Sequence, residues 1–215
     1  MALLRKKYGE IPPDAVVLTE EEAFKYQTKI LNSWTDQSDV LGYKFGRYFL
    51  ATASALSGLY INNHYRNKFK LFHYGRLSTY LPLCFLPSAF SMVLHMELVL
   101  KDVVLQKRNS CPVCLEMRGS AMQAMVGCAF PLLLAPVACL SLAHRYFTIQ
   151  IPDVVREPGQ LLKFIHGKTK PVANVLFAIF IGQALLGSVV TYWEAQSVIT
   201  VNRKLALLEQ QLENM

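Results

Sequence analysis

Four long stretches of the chain carry no ionised side chain. Residues 119–143 and 171–193 are the most apolar, and residues 77–94 follow; residues 48–65 are weaker because they are rich in Ser, Thr, Ala and Asn. A membrane-spanning helix needs about 20 mainly apolar residues, since the hydrocarbon core is about 30 Å thick and a helix rises about 1.5 Å per residue. The pattern predicts four spans, at about residues 46–65, 77–100, 119–143 and 171–193.

Both ends of the chain are polar and predict further helices. In residues 1–44, Thr19 and Glu22 have the spacing of a capping box, and the apolar residues that follow fall near one face. We expect an amphipathic helix there, on the membrane or on a partner. In residues 194–215 an apolar seam of under three heptads predicts a short helix that needs a partner helix or rests on the membrane surface. The seam consists of Val198, Val201, Leu205, Leu208 and Leu212.

These patterns predict an all-α fold: a four-span transmembrane bundle over residues 45–193, with an amphipathic N-terminal helix and a heptad-like C-terminal helix. Small residues four apart let helix backbones approach closely in a membrane. They occur in three spans, as Ala51/Ala55, Ser54/Gly58, Ser120/Ala124/Cys128, Ala178/Gly182 and Ala184/Ser188. Prolines, which remove a backbone hydrogen bond, should kink the second and third spans. They are Pro82, Pro87, Pro131 and Pro136.

The charges are confined to the connectors. The chain has 22 Lys or Arg and 15 Asp or Glu, and the excess is typical of loops beside anionic headgroups rather than of a nucleic-acid-binding face. Basic residues are divided almost evenly between the two sides of the predicted bundle, so they leave its orientation open. The N-terminal residues do not have the pattern of a secretory signal, and their acidic residues disfavour a cleavable mitochondrial presequence.

Candidate chemistry is sparse. Cys111 and Cys114 have the spacing of a redox or half-zinc motif, but no second pair completes a zinc site, so a local disulfide or two resting thiols is favoured. His95 and Glu97 lie near the exit of the second span, where we expect them to reach the interface, with Lys101 as a partner for Glu97. We expect no catalytic site, no cofactor and no metal, and therefore not an enzyme.

Several short motifs, in order, resemble the transmembrane protein 126 family. The resemblance covers about residues 42–193. The motifs are Gly58-Leu59-x-x-Asn62-x-x-Tyr65-Arg66, Cys111-x-x-Cys114-x-x-x-Arg118, Phe130-Pro131-x-x-Leu134-Ala135, Arg145-Tyr146 followed after five residues by Pro152, Lys170-Pro171-Val172, and Gln183.

The resemblance implies a multi-pass protein of the mitochondrial inner membrane. Members of the family help to assemble respiratory complex I, so the expected function is that of a non-enzymatic chaperone or scaffold. Its expected partners are membrane-arm subunits of complex I, other complex I assembly factors and the lipid bilayer. The candidate signature or partner-contact residues are Gly58, Asn62, Arg66, Arg118, Pro131, Arg145, Tyr146, Pro171 and Gln183.

Two other functions compete with this one. A small transporter or channel, suggested by the two proline-containing spans, requires a water-lined cavity with convergent polar groups; Gln123, His95 and Glu97 are the few candidates to line it. A membrane thiol oxidoreductase requires Cys111 and Cys114 to cycle between thiol and disulfide.

Overall fold

The protein is seen in a computed structural model that describes residues 17–106, 111–149 and 158–213. All regular structure in these ranges is helical, which confirms the all-α prediction. The helices are α1 (Glu20–Ser33), α2 (Leu41–Lys68), α3 (Arg76–Val104), α4 (Pro112–Arg145), α5 (Pro158–Thr169) and α6 (Ala173–Glu213). A π-helical turn interrupts α3 at Met96–Leu100 and α4 at Met125–Ala129, and a 3₁₀ turn, Lys170–Val172, joins α5 to α6.

Helix α1 begins where the capping box predicts. The Glu22 N–H donates to Thr19 Oγ1 at 3.3 Å, and the Thr19 N–H donates to Glu22 Oε2 at 2.9 Å. These two bonds satisfy donors that the first turn leaves free. Leu31 is buried against the rest of the chain, and Ile30 and Trp34 pack beside it. The apolar face of α1 is therefore covered by its own protein.

Three of the four predicted spans coincide with helices that are candidate spans by length and composition. Within the described residues, the helices long and apolar enough to cross a membrane are Arg76–Val104, Pro112–Arg145 and Gly159–Leu212. Helix α2 has 28 residues and is long enough to cross a membrane. Its Ser, Thr and Asn side chains make it more polar than these three helices, so it does not qualify by composition. A span in α2 stays a prediction on this measure.

Polar and small residues of α2 face the interior beside buried apolar residues such as Leu50 and Ile61, while other large apolar residues face outward. Ser54 and Asn62 are fully buried, whereas Phe45, Leu56 and Tyr60 are exposed. The helix packs against α3, α4 and α6. Its polar composition therefore reflects a position at the centre of the bundle.

The two ends of α2 contact the two ends of the apolar part of α3. At one end, Arg66 Nη1 donates to Thr79 Oγ1 at 2.8 Å; at the other, Arg47 Nη1 lies 3.9 Å from Met96 Sδ. Helix α2 thus runs antiparallel to α3 over the whole apolar stretch.

The bundle has two chemically different ends. We call residues 64–76, 141–149 and 158–172 the basic end: they include eight Lys or Arg and no Asp or Glu. The mixed end is formed by α1, the start of α2, the end of α3, the start of α4 and the second half of α6, and it has both signs of charge. One apolar cluster, with Ile61 and Leu83, lies toward the basic end, and another, with Val99 and Val201, lies in the mixed end.

The predicted C-terminal helix is continuous with the last span. No Gly or Pro occurs between Gly187 and the end of α6 at Glu213, so nothing interrupts the backbone hydrogen bonds. The first half of the heptad seam packs against the rest of the protein, since Val201 is 1% exposed. The seam ends in the open at Leu212, which is 69% exposed.

Candidate functional site

One polar side chain from each of the four long helices meets at the centre of the bundle. We call Ser54, Ser91, Gln123 and Gln183 the central polar cluster; none of them is more than 5% exposed. Ser91 Oγ donates to Gln123 Oε1 at 2.7 Å, and Gln123 Nε2 faces Gln183 Oε1 at 2.7 Å and Ser54 Oγ at 3.0 Å. Gln183 Nε2 donates to the Ala53 carbonyl at 2.9 Å. The cluster therefore links α2, α3, α4 and α6.

The central polar cluster binds the helices to one another. Inside a membrane such side chains cannot form hydrogen bonds with water instead. Each hydrogen bond between helices therefore favours a single register of the helices. Close packing supports this register, because a Cβ at Gly127 would lie 2.7 Å from Gln183 Oε1. Gln183, one of the candidate signature residues, thus makes hydrogen bonds across helices within the chain. Its partners are 60 to 130 residues away along the chain, which no local pattern reveals.

Helix α2 also covers two carbonyls that prolines leave without their usual partner. A proline has no N–H for the carbonyl four residues earlier. Pro131 leaves the Gly127 carbonyl, and Ser57 Oγ donates to it. Pro87 leaves the Leu83 carbonyl, which packs so closely on Gly58 that a Cβ there would lie 2.1 Å from the oxygen. Neighbouring residues of α2 thus accommodate one proline in α3 and one in α4.

A buried ion pair lies where the bundle meets the mixed end. His95 Nε2 is 2.7 Å from Glu194 Oε2, and neither side chain is exposed. The prediction that His95 reaches the interface is therefore wrong: α6 covers it and supplies a carboxylate 99 residues away. We call His95, Glu194 and the neighbouring Arg47 the ion cluster. Among the described residues, His95 Nδ1, Glu194 Oε1 and Arg47 Nε have no hydrogen-bond partner.

At the other end of α2, Arg66 organises the connection to α3. Its side chain is buried, yet it has no carboxylate among its described partners. Nη2 donates to the carbonyls of Phe72 and Tyr74, at 2.9 and 2.8 Å, and Nη1 to Gly75 and Thr79. Gly75 has a φ of +56°, which a glycine adopts without strain. Arg66 thereby fixes the loop between α2 and α3.

Most of the other signature residues also make contacts within the chain. Asn62 bridges two helices, with Thr79 Oγ1 at 3.4 Å and Cys139 Sγ at 3.5 Å. Tyr146 stacks on Tyr74, with ring centroids 4.9 Å apart. Two further candidates, Arg145 and Pro171, are exposed at the basic end. Arg118 lies at the mixed end, where its Nη1 donates to the Leu98 carbonyl and to Asp102.

The two surface cysteines lie apart from these interior groups. Cys111 and Cys114 have free, exposed thiols at the start of α4. No group of three or more His, Cys, Asp or Glu in the described part of the chain is arranged to hold a metal ion.

The described part of the interior bears on the transporter hypothesis. Polar groups do converge, but those of the central polar cluster are bonded to one another. Two depressions of the described surface lie elsewhere, one along α1 and one between Gly42 and Trp193 at the mixed end. The transporter hypothesis therefore gains no support from the interior.

Apolar helices of spanning length, with a polar network between them and apolar side chains outside, define a polytopic membrane protein. Residues 22–206 match the profile of a protein family described as "Transmembrane protein 126". Transmembrane protein 126 of Drosophila melanogaster is 37% identical over 213 residues, covering 99% of this chain and 96% of the relative. The chain therefore belongs to the transmembrane protein 126 family. No solved structure matches it.

Proposed function

We propose that the protein is a non-enzymatic assembly factor or scaffold for the membrane arm of mitochondrial respiratory complex I. Its partners are membrane-arm subunits and other complex I assembly factors, in the mitochondrial inner membrane. Family membership supports this proposal. The observation that carries it is the contrast between a closed, hydrogen-bonded interior and an outer face of α6 that is free to receive another helix.

Of the three candidate spans, the one in α6 is the least buried within the protein. Only 22% of its most apolar stretch is buried, compared with 44% in α4. Ile181 and Leu185 are exposed on its outer face. Nothing in the described chain lies within 4 Å of a Cβ at Gly182, and Ala178, one turn earlier, is exposed. This small pair permits close approach of a partner helix.

Helix α2 is the fourth span in this proposal. It lies alongside α3 from Arg66 to Arg47, with contacts at both ends, so a membrane crossed by α3 has to be crossed by α2 as well. Its polar side chains are shielded inside, and its exposed residues include Phe45, Phe49 and Leu56. Four spans leave the N-terminal region, the α3–α4 connector and the C-terminal end of α6 on one side.

The test is purification of the tagged full-length protein from mitochondria in mild detergent, followed by a native gel with mass spectrometry of each band. We expect co-migration with membrane-arm subunits of complex I. Replacing both small residues, Ala178→Leu with Gly182→Leu, should lower their recovery at least about fivefold, since one helix contact in a membrane contributes about 1 kcal/mol.

A matched control is Gly167→Leu. A Cβ at Gly167 also has no atom within 4 Å, but this glycine lies on α5, away from the α6 face. It should leave recovery unchanged. Equal recovery from the α6 variant and the control would rule out the α6 face as the contact. Migration of the wild-type protein without any respiratory subunit would overturn the proposed function itself.

A further inference from the structure

Two of the five cysteines differ from the others in exposure and position. Cys128 and Cys139 are buried, and Cys84 is partly buried, whereas Cys111 and Cys114 are exposed. Cys111 directly precedes α4 with φ −57° and ψ 127°, and Cys114 lies in the first turn of the helix. The chain therefore presents two thiols about one helical turn apart at the surface of the mixed end.

The start of α4 is fixed in place beneath these thiols. Leu115 is buried in the apolar cluster of the mixed end. Arg118 Nη1 donates to the Leu98 carbonyl at 2.9 Å and to Asp102 Oδ2 at 2.8 Å, which ties the first turns of α4 to α3. The helix start, with both cysteines, is thus a defined part of the surface.

The two positions are chemically unequal. The first N–H groups of a helix have no partners within it and favour negative charge near the helix start, and Cys111 is the residue that directly precedes α4. Here the backbone N–H of Cys114, and then its thiol, lower the pKa of Cys111. Cys111 has the position of an attacking thiolate, and Cys114 is placed to attack it in turn.

We propose that Cys111 and Cys114 form a redox-active dithiol that exchanges with small disulfides of the glutathione type. The Cys111 thiolate attacks glutathione disulfide, forms a mixed disulfide and releases one glutathione thiolate. Cys114 then loses its proton and attacks the Cys111 sulfur, which closes the intramolecular disulfide and releases the second glutathione. The dithiol loses two electrons, and one glutathione disulfide becomes two glutathione molecules.

The test uses the purified full-length protein in detergent with glutathione disulfide, followed by peptide mass spectrometry. The Cys114→Ser variant should accumulate glutathione on Cys111. The Cys111→Ser variant should react at Cys114 at least about threefold more slowly, because it lacks the favourable position at the helix start. The wild-type protein should end as the intramolecular disulfide without bound glutathione, and Cys84→Ser should behave like wild type.

A second measurement does not depend on the folding of the variants. In the wild-type protein, iodoacetamide should alkylate Cys111 at least about threefold faster than Cys114, and the difference should disappear in denaturant. Equal rates in the folded protein would overturn the assignment of Cys111 as the attacking thiol. Wild-type protein that retains glutathione, or that does not react, would overturn the proposed exchange.

Discussion

Arg66 lies at one end of α2, and the ion cluster lies beside the other end, around Arg47. The polar groups of the two sites find their hydrogen-bond partners in different ways. Arg66 donates to three backbone carbonyls and the Thr79 hydroxyl, all in the α2–α3 loop or the first turn of α3. The ion cluster instead joins His95 of α3 to Glu194 of α6, and one polar atom on each of these side chains has no partner in the described part of the chain. The Arg66 site is local, with four hydrogen bonds from its two terminal nitrogens; the ion cluster is long-range and, among the described residues, has unused hydrogen-bonding capacity.

The difference teaches what each site contributes. A guanidinium surrounded by carbonyls cannot be replaced by an apolar residue, because the carbonyls would then lose their donors. A buried pair of side chains can be replaced, because both polar partners can be removed together. Arg66 therefore specifies the fold, whereas the ion pair specifies which face of α6 meets α3.

The largest effect should come from Arg66→Met. The change leaves three carbonyls and a hydroxyl without their donor, and we expect a loss of at least about 4 kcal/mol in the free energy of unfolding. Unfolding in mixed micelles with increasing SDS, followed by circular dichroism, measures this loss.

The control for Arg66 is Arg66→Lys, which keeps the charge but has no planar fork of donors. It should recover only part of the stability. If Arg66→Met were as stable as the wild type, the loop would not depend on the guanidinium, and the contrast with the ion cluster would disappear.

A smaller effect is expected at the ion pair. Glu194→Ala or His95→Ala alone should cost about 3 kcal/mol, because the remaining partner stays buried without its bond. The double variant His95→Leu with Glu194→Met should recover most of this loss, since neither member of the pair is then left buried without the other. The same SDS titration gives all three values, and a double variant as unstable as the sum of the single variants would contradict the account.

The smallest effect concerns the contact between the end of α6 and the α1–α2 connector. Lys204 Nζ bonds to Asp39 and lies 3.3 Å from Asp36 Oδ2. The Lys204 hydrogen bond, followed by that from Trp34, lowers the pKa of Asp39, and the bond to Asp39 raises the pKa of Lys204. Asp39→Asn should speed amide hydrogen exchange in residues 199–212 without lowering overall stability, and Asp36→Asn should do so less.

The pH dependence of this contact follows from the two directions. The contribution of Asp39 is fully present above the ordinary Asp pKa of about 3.9 and is lost as pH falls through its lowered value. The contribution of Lys204 is fully present below the ordinary Lys pKa of about 10.4 and is lost as pH rises through its raised value. After correction for the intrinsic rate, exchange in residues 199–212 should therefore be level between these limits, and an acceleration near pH 7 would contradict the assignment.

Local features of the chain were predictable from the residues alone. The capping box at Thr19 locates the start of α1, and the uncharged stretches locate three candidate spans. Such features depend on neighbours within one or two turns, so the sequence displays them directly. The polar character of α2 was visible too, but its reason was not: Ser57 and Gly58 face carbonyls that prolines in other helices leave free.

The sequence by itself determined the capped start of α1, the three candidate spans and the position of the cysteine pair beside an apolar stretch, but it did not reveal α5. Only the tertiary structure decided the partners: Gln123 with Gln183, 60 residues apart, and His95 with Glu194, 99 residues apart. The physical reason is that periodicity records which face of a helix is buried, while the register between helices depends on many packing contacts at once. A histidine next to an apolar stretch has the same local pattern whether it reaches headgroups or a carboxylate on another helix.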